Sequence, residues 1–131
     1  MSDITILILR LAIGVIFLAH GAQAAFGLFG GPHISGFAEM LSGMGFKPAL
    51  LWAYIGAYTE VIAGACLVFG LMTQGAALFL IIFMLVATVK VHLAKGFFIQ
   101  SGGFEYNFLI ICVCAVLMIT GPGKYSLMNK F

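Results

Sequence analysis

Four long apolar stretches take up most of this chain and restrict its fold more than any other feature. They run over about 4–26, 48–71, 74–95 and 104–120. A helix needs about 20 mainly apolar residues to cross a hydrocarbon core of roughly 30 Å; three stretches reach that length and the fourth comes close. Hydrophobic residues make up 63% of the chain and charged residues 8%, against roughly 25% charged in a soluble domain. With 131 residues, a soluble fold has too little interior to hide so much apolar surface. The surplus must face lipid. The expected fold is all-α: a single domain over 1–131, an integral membrane bundle of four transmembrane helices in contact with a lipid bilayer.

The first stretch is too long for a signal-peptide core and no A-x-A-like site ends it, so it reads as a retained span. A net charge of +2 from scattered cations gives no nucleic-acid footprint. Cys66, Cys112 and Cys114 all fall in apolar runs without a C-x-x-C pair, and read as small buried hydrophobes.

The connections are unequal. A tight turn at Met72 and Thr73 makes the second and third stretches antiparallel neighbours. The long connection 27–47 carries Ile34, Phe37, Met40, Leu41 and Met44 at helical spacing, which points to a short interfacial helix between spans one and two. Four crossings put both termini at one end of the bundle (the terminal end) and the loops 27–47 and 96–103 at the other (the loop end). Lys124 and Lys130 at the terminal end balance Lys47 and Lys95 at the loop end, so charge does not orient the chain.

Ionisable residues at membrane depth are costly and mark function or pairing. Here they are Arg10, His20, Glu60, Lys90, His92 and Glu105. At a rise of about 1.5 Å per residue, Arg10 lies roughly 9 Å from the terminal end and Glu60 roughly 16 Å. His20 and His92 lie at roughly 24 to 27 Å, near the level of Glu105 and Tyr106. Gly56, Glu60 and Gly64 follow one another at intervals of four, a small-residue stripe that lets a neighbour approach. Arg10 and Glu60 are expected to pair across the interior. Lys90 and His92 point about 200° apart at 100° per residue, so His92 is assigned inward and Lys90 snorkels toward the loop end. His33, beside Pro32, reads as a surface residue.

These residues admit several readings. A buried network can fix helix register and do nothing more. Two imidazoles at one depth suit axial haem ligation, and His20, His92 and Glu105 together suit a divalent metal. A proton path or a quinone headgroup site is the remaining reading, since histidine titrates near neutral pH and a quinone carbonyl needs a donor at membrane depth.

The residues also carry a family resemblance. LRLAIGVIFLAHGAQAAFGLFGG in the first stretch, TEVIAGACLVFGLMT in the second, VKVHLAKGFF leading to GGFEYNFL, and the closing GPGKYSL together resemble the DoxX family of small four-span membrane proteins. The resemblance implies a bacterial or archaeal cytoplasmic (inner) membrane and cytoplasmic termini. Family members belong to a thiosulfate:quinone oxidoreductase and to oxidative-stress membrane complexes. Arg10, His20, Glu60, His92, Glu105 and Tyr106 are the polar positions that match the family pattern. The leading expectation is a membrane subunit of a redox or respiratory electron-transfer system, an oxidoreductase subunit that handles a quinone near the loop end, with protein partners in a redox complex or a homo-oligomer. The alternatives are a non-enzymatic scaffold or assembly factor and a small proton or solute transporter. No residue is assigned a catalytic role. Without a Rossmann pattern or a cysteine cluster, any redox chemistry must come from a quinone, a haem or a metal.

Overall fold

A computed structural model describes residues 2–128; Lys130 lies outside them. The described residues are helical, with no strand: α1 (Asp3–Phe26), α2 (His33–Gly43), α3 (Ala49–Phe69), α4 (Thr73–Ala87) and α5 (Glu105–Thr120). Three helical segments, Asp3–Phe26, Ala49–Phe69 and Thr73–Lys95, are long and apolar enough to cross a membrane. The fourth apolar helix, α5, has 16 residues, or about 24 Å.

Local chemistry sets the ends. Ser2 caps α1, its hydroxyl accepting from Thr5 N at 3.2 Å, which satisfies one of the orphan N–H groups of the first turn. Gly27 and Gly70 close α1 and α3 in the left-handed conformation, where a residue without Cβ is at no steric disadvantage.

Apolar residues are sorted by what they touch. Ile8, Phe79 and Ile119 are exposed, as lipid-facing side chains must be. Inside, Phe17 of α1, Leu67 of α3, Leu80 of α4 and Ile110 and Leu117 of α5 form one core. The α1–α3 contact is the tightest. A Cβ at Gly64 would sit 2.6 Å from Leu18 N and 2.9 Å from Gly14 O, so the two backbones approach as closely as small residues permit. Gly56, on the same sequence stripe, faces elsewhere: its Cβ would meet Phe37 of α2 and Phe83 of α4 at 3.4 and 3.5 Å. Eight residues of α-helix advance the direction by about 80°, enough to give the two glycines different neighbours.

The amphipathic segment between the first two spans is α2. Ile34 and Leu41 are buried while Met40 is exposed, and Ile34 packs with Ala24, Ala25 and Ala57. The helix is therefore docked across α1 and α3. After Ala87 the third long helix changes form. Thr88–His92 is a π turn and Leu93–Lys95 a 3₁₀ turn. A π turn inserts extra residues into the helical register, and such turns recur at functional sites.

Candidate functional site

Arg10 and the cavity-lining set His20, Glu60 and His92 form two separate groups among the ionisable residues at membrane depth. Arg10 occupies the terminal end and is 2% exposed. Its Nε donates to Leu67 O at 2.6 Å, Nη1 to Pro122 O at 2.7 Å and Nη2 to Tyr125 O at 2.7 Å. The expected pairing with Glu60 is therefore replaced by a pairing with three backbone carbonyls. These are left free where α3 ends and the chain turns after α5, and the guanidinium fork supplies several donors in one plane. The closing segment is fixed further by Leu127 N and Met128 N, which donate to Phe69 O and Gly70 O, and by Asp3 Oδ1, which accepts from Lys124 N. Arg10 is thus a structural clamp.

The second group surrounds a half-open cavity of about 320 Å³ between α1, α3, α4 and α5, roofed by the loop 96–104. Phe17, Phe83 and Met84 give it an apolar wall, with Phe17 and Phe83 edge to face at 6.3 Å. Its polar lining is His20, Glu60, His92, Tyr106 and Asn107. Glu60 is 8% exposed, and no described residue gives its carboxyl a hydrogen bond or an ion pair. An unpaired carboxyl at this depth carries a penalty that a proton or a hydrogen bond from a ligand would relieve. His20, at the mouth, and Tyr106 likewise have no side-chain hydrogen bond among the described residues.

His92 and Asn107 are oriented by the protein. His92 Nδ1 donates to Gly102 O at 2.7 Å, which fixes the ring and leaves Nε2 as the free nitrogen. Asn107 Nδ2 donates to Thr88 Oγ1 at 2.9 Å, and Thr88 Oγ1 in turn donates to Met84 O at 2.7 Å. Thr88 and His92 stand at the two ends of the π turn. Lys90, inside the same turn, is exposed and lies outside the cavity, its Nζ 5.6 Å from the Phe46 ring centroid. The roof is held by Phe97, packed edge to face on Phe98 and Phe104 at 5.3 and 5.4 Å, and by Gly103, where an added Cβ would collide with the Gly96 and Phe97 backbone.

The geometry revises three sequence expectations. Glu60, assigned to the middle of the bundle, shares one cavity with His20, His92 and Tyr106. Glu105, although level with them, is spent on the roof: its Oε1 accepts from Ile99 N at 3.1 Å. The trio His20, His92 and Glu105 is not assembled, and no three His, Cys, Asp or Glu side chains converge as metal ligands among the described residues. Asn107 is the site residue that sequence reasoning missed. A polar amide next to Tyr106 inside an apolar stretch was the available signal.

Comparisons with known proteins find relatives that align along most of the chain. A Haemophilus influenzae protein, described as an uncharacterized protein, is 27% identical over 130 residues, covering 96% of this chain and 82% of the relative. A Bacillus subtilis protein named "Putative oxidoreductase CatD" is 29% identical over 119 residues, covering 91% of this chain and 81% of the relative. No solved structure matches the chain. The DoxX family profile matches residues 5–93, more than half the chain, and with its apolar helices in place this multi-pass membrane protein belongs to the DoxX family.

Proposed function

We propose that the protein is a membrane subunit of a redox system and that the loop-end cavity binds the polar head of a quinone. The observation that carries this reading is Glu60, more than nine-tenths buried, unpartnered among the described residues, and lining a cavity with Tyr106, His92 and Asn107. The family and the name of the Bacillus subtilis relative point toward a redox role. A cavity of about 320 Å³ falls at the lower end of the roughly 300–1,000 Å³ typical of small-ligand sites.

The residues suit a head with two opposed carbonyl oxygens between apolar faces. Tyr106 offers a hydroxyl donor, and Glu60 offers a carboxyl that donates when protonated and accepts when not. His20 at the mouth connects the cavity to the interface, where it can exchange protons with water. Phe17 and Phe83 supply aromatic surface for a flat ring. A bound quinone supplies carbonyl oxygens that take up a proton with each electron. Glu60 and His20 then form a route by which a proton enters or leaves the cavity, while the electrons come from a partner redox protein. On this reading the termini are cytoplasmic, as the family resemblance implies, and the cavity opens near the outer face of a bacterial cytoplasmic membrane.

The test is direct binding of a soluble benzoquinone to the detergent-purified protein. Saturable binding that Glu60→Gln and Tyr106→Phe both weaken, at unchanged thermal stability, is the expected result. A parent protein that binds no quinone, together with Glu60→Gln and His92→Ala variants that unfold, would leave the polar cluster a structural network of a scaffold protein.

A further inference from the structure

A second hollow lies directly behind the first. It is a groove of about 520 Å³ between α2, α3 and the third long helix, with Phe37, Gly56 and Thr59 among its lining. Phe83 and Ala87 line both the groove and the polar cavity, so the two hollows adjoin at these side chains. The two hollows differ in chemistry. The cavity holds three polar side chains, His20, Glu60 and Tyr106, without a side-chain hydrogen bond among the described residues, beside the oriented His92 and Asn107. The groove is apolar, its Thr59 hydroxyl already spent on Ile55 O at 2.6 Å and its Lys90 ammonium held at the rim over Phe46. Gly56 keeps it open, because any larger side chain there would grow toward Phe37 and Phe83.

We propose that cavity and groove form one binding site for a lipid-soluble ligand, the cavity taking its polar head and the groove its long apolar tail. This deepens the quinone reading and rests on it. A separate bilayer lipid in the groove would leave its headgroup with one cation, Lys90, already placed over an aromatic face. A tail continuous with the head in the cavity needs no polar partner in the groove at all. The groove also rationalises why α2 is docked, since Phe37 and Leu41 of α2 close the side that would otherwise open to the membrane. Tail burial gains little over lipid itself, so selectivity must come from packing and from tethering the tail to a bound head.

The experiment compares a tailless methylated benzoquinone with its decyl-tailed derivative on the detergent-purified full chain. The parent should bind the tailed compound about tenfold more tightly, the factor that 1.4 kcal/mol represents. Gly56→Leu and Thr59→Phe plug the groove from two positions and should each abolish that advantage. Tailless binding should stay within about twofold, and this also reports that each variant is folded. Trp52, the one tryptophan of the chain, lines the groove and gives a readout that needs no variant. A derivative brominated at the tail end should quench its fluorescence saturably, whereas bromodecane should not. Equal affinity for tailed and tailless compounds in the parent overturns the proposal, as does a tail advantage that survives both plugs. A phospholipid that co-purifies with the parent and is lost in Gly56→Leu, with tailed binding unchanged, assigns the groove to bilayer lipid instead. Failure of the tailless head to bind removes the quinone reading as well, whereas a tailless head that binds alone removes only the groove.

Discussion

Arg10 at the terminal end and Glu60 in the loop-end cavity are both ionisable residues buried in an apolar bundle, yet their surroundings are opposite. Arg10 is met by three carbonyl oxygens; Glu60 is met by a cavity and by no donor among the described residues. A buried charge that the fold itself satisfies contributes to stability, since removing it strands its partners. A buried charge left unsatisfied costs stability and persists where something outside the fold completes it. The same residue class thus serves as a clamp at one end and as a binding group at the other.

Substitutions should separate the two ends. Arg10→Leu removes three charge-assisted hydrogen bonds, each worth roughly 1.5–3 kcal/mol. Even discounted for a membrane setting, where polar contacts measure weaker, the loss should reach at least about 3 kcal/mol in detergent unfolding. Arg10→Lys should recover only part of it, because a single ammonium cannot reach three carbonyls as a planar fork does. An unchanged midpoint for Arg10→Leu would remove the clamp and with it the contrast.

Glu60→Gln should behave in the reverse sense. Its thermal stability should stay within about 1 kcal/mol of the parent, while affinity for a quinone head falls by about tenfold to a hundredfold, the equivalent of one charge-assisted hydrogen bond. Calorimetry and binding on the same preparation check both halves. A variant that loses stability without losing binding would turn Glu60 into a second structural residue.

The contrast also requires the two sites to be energetically independent. Arg10→Gln combined with Glu60→Gln should give stability changes that add within about 0.5 kcal/mol, as expected of sites that share no partner. A clearly smaller double loss would restore the direct pairing that the sequence suggested.

A smaller effect is expected at Thr88→Val, which removes the acceptor that orients Asn107. About 1 kcal/mol of stability should be lost, with a modest fall in head affinity. Labelling should change neither property and should tell which end faces out. A cysteine in place of exposed Ser101 should react with an impermeant maleimide in whole cells, and one in place of exposed Lys124 only after lysis. The reverse pattern would invert the membrane orientation while leaving the two-ended contrast intact.

Depth was the part of the site that could be read from sequence. Helical rise alone puts His20, His92 and Tyr106 at one level, because a rise of about 1.5 Å per residue is nearly independent of side chains. Direction was less accessible. Glu60 reaches the same cavity because α3 is seated against α1 by the Gly14–Gly64 approach, a packing choice that no single helix contains. Glu105 stands at the right level but turns to the loop, where the Ile99 N–H is closer to hand. The π turn at Thr88–His92 shifts the register that places His92, and uniform 100° steps do not describe it.

Arg10 shows the limit most clearly. Its partners are backbone carbonyls of residues 67, 122 and 125, and a carbonyl leaves no signature in a sequence because every residue has one. By itself the sequence determined that the chain is helical, where its apolar stretches lie and that His20, His92 and Tyr106 share one level. Those follow from composition, hydrophobic length and a fixed helical rise. Only the tertiary structure decided which buried groups are satisfied and which are left facing a cavity. That outcome depends on helix rotation, on close backbone approach and on loop closure, which are properties of several segments packed together and of none alone.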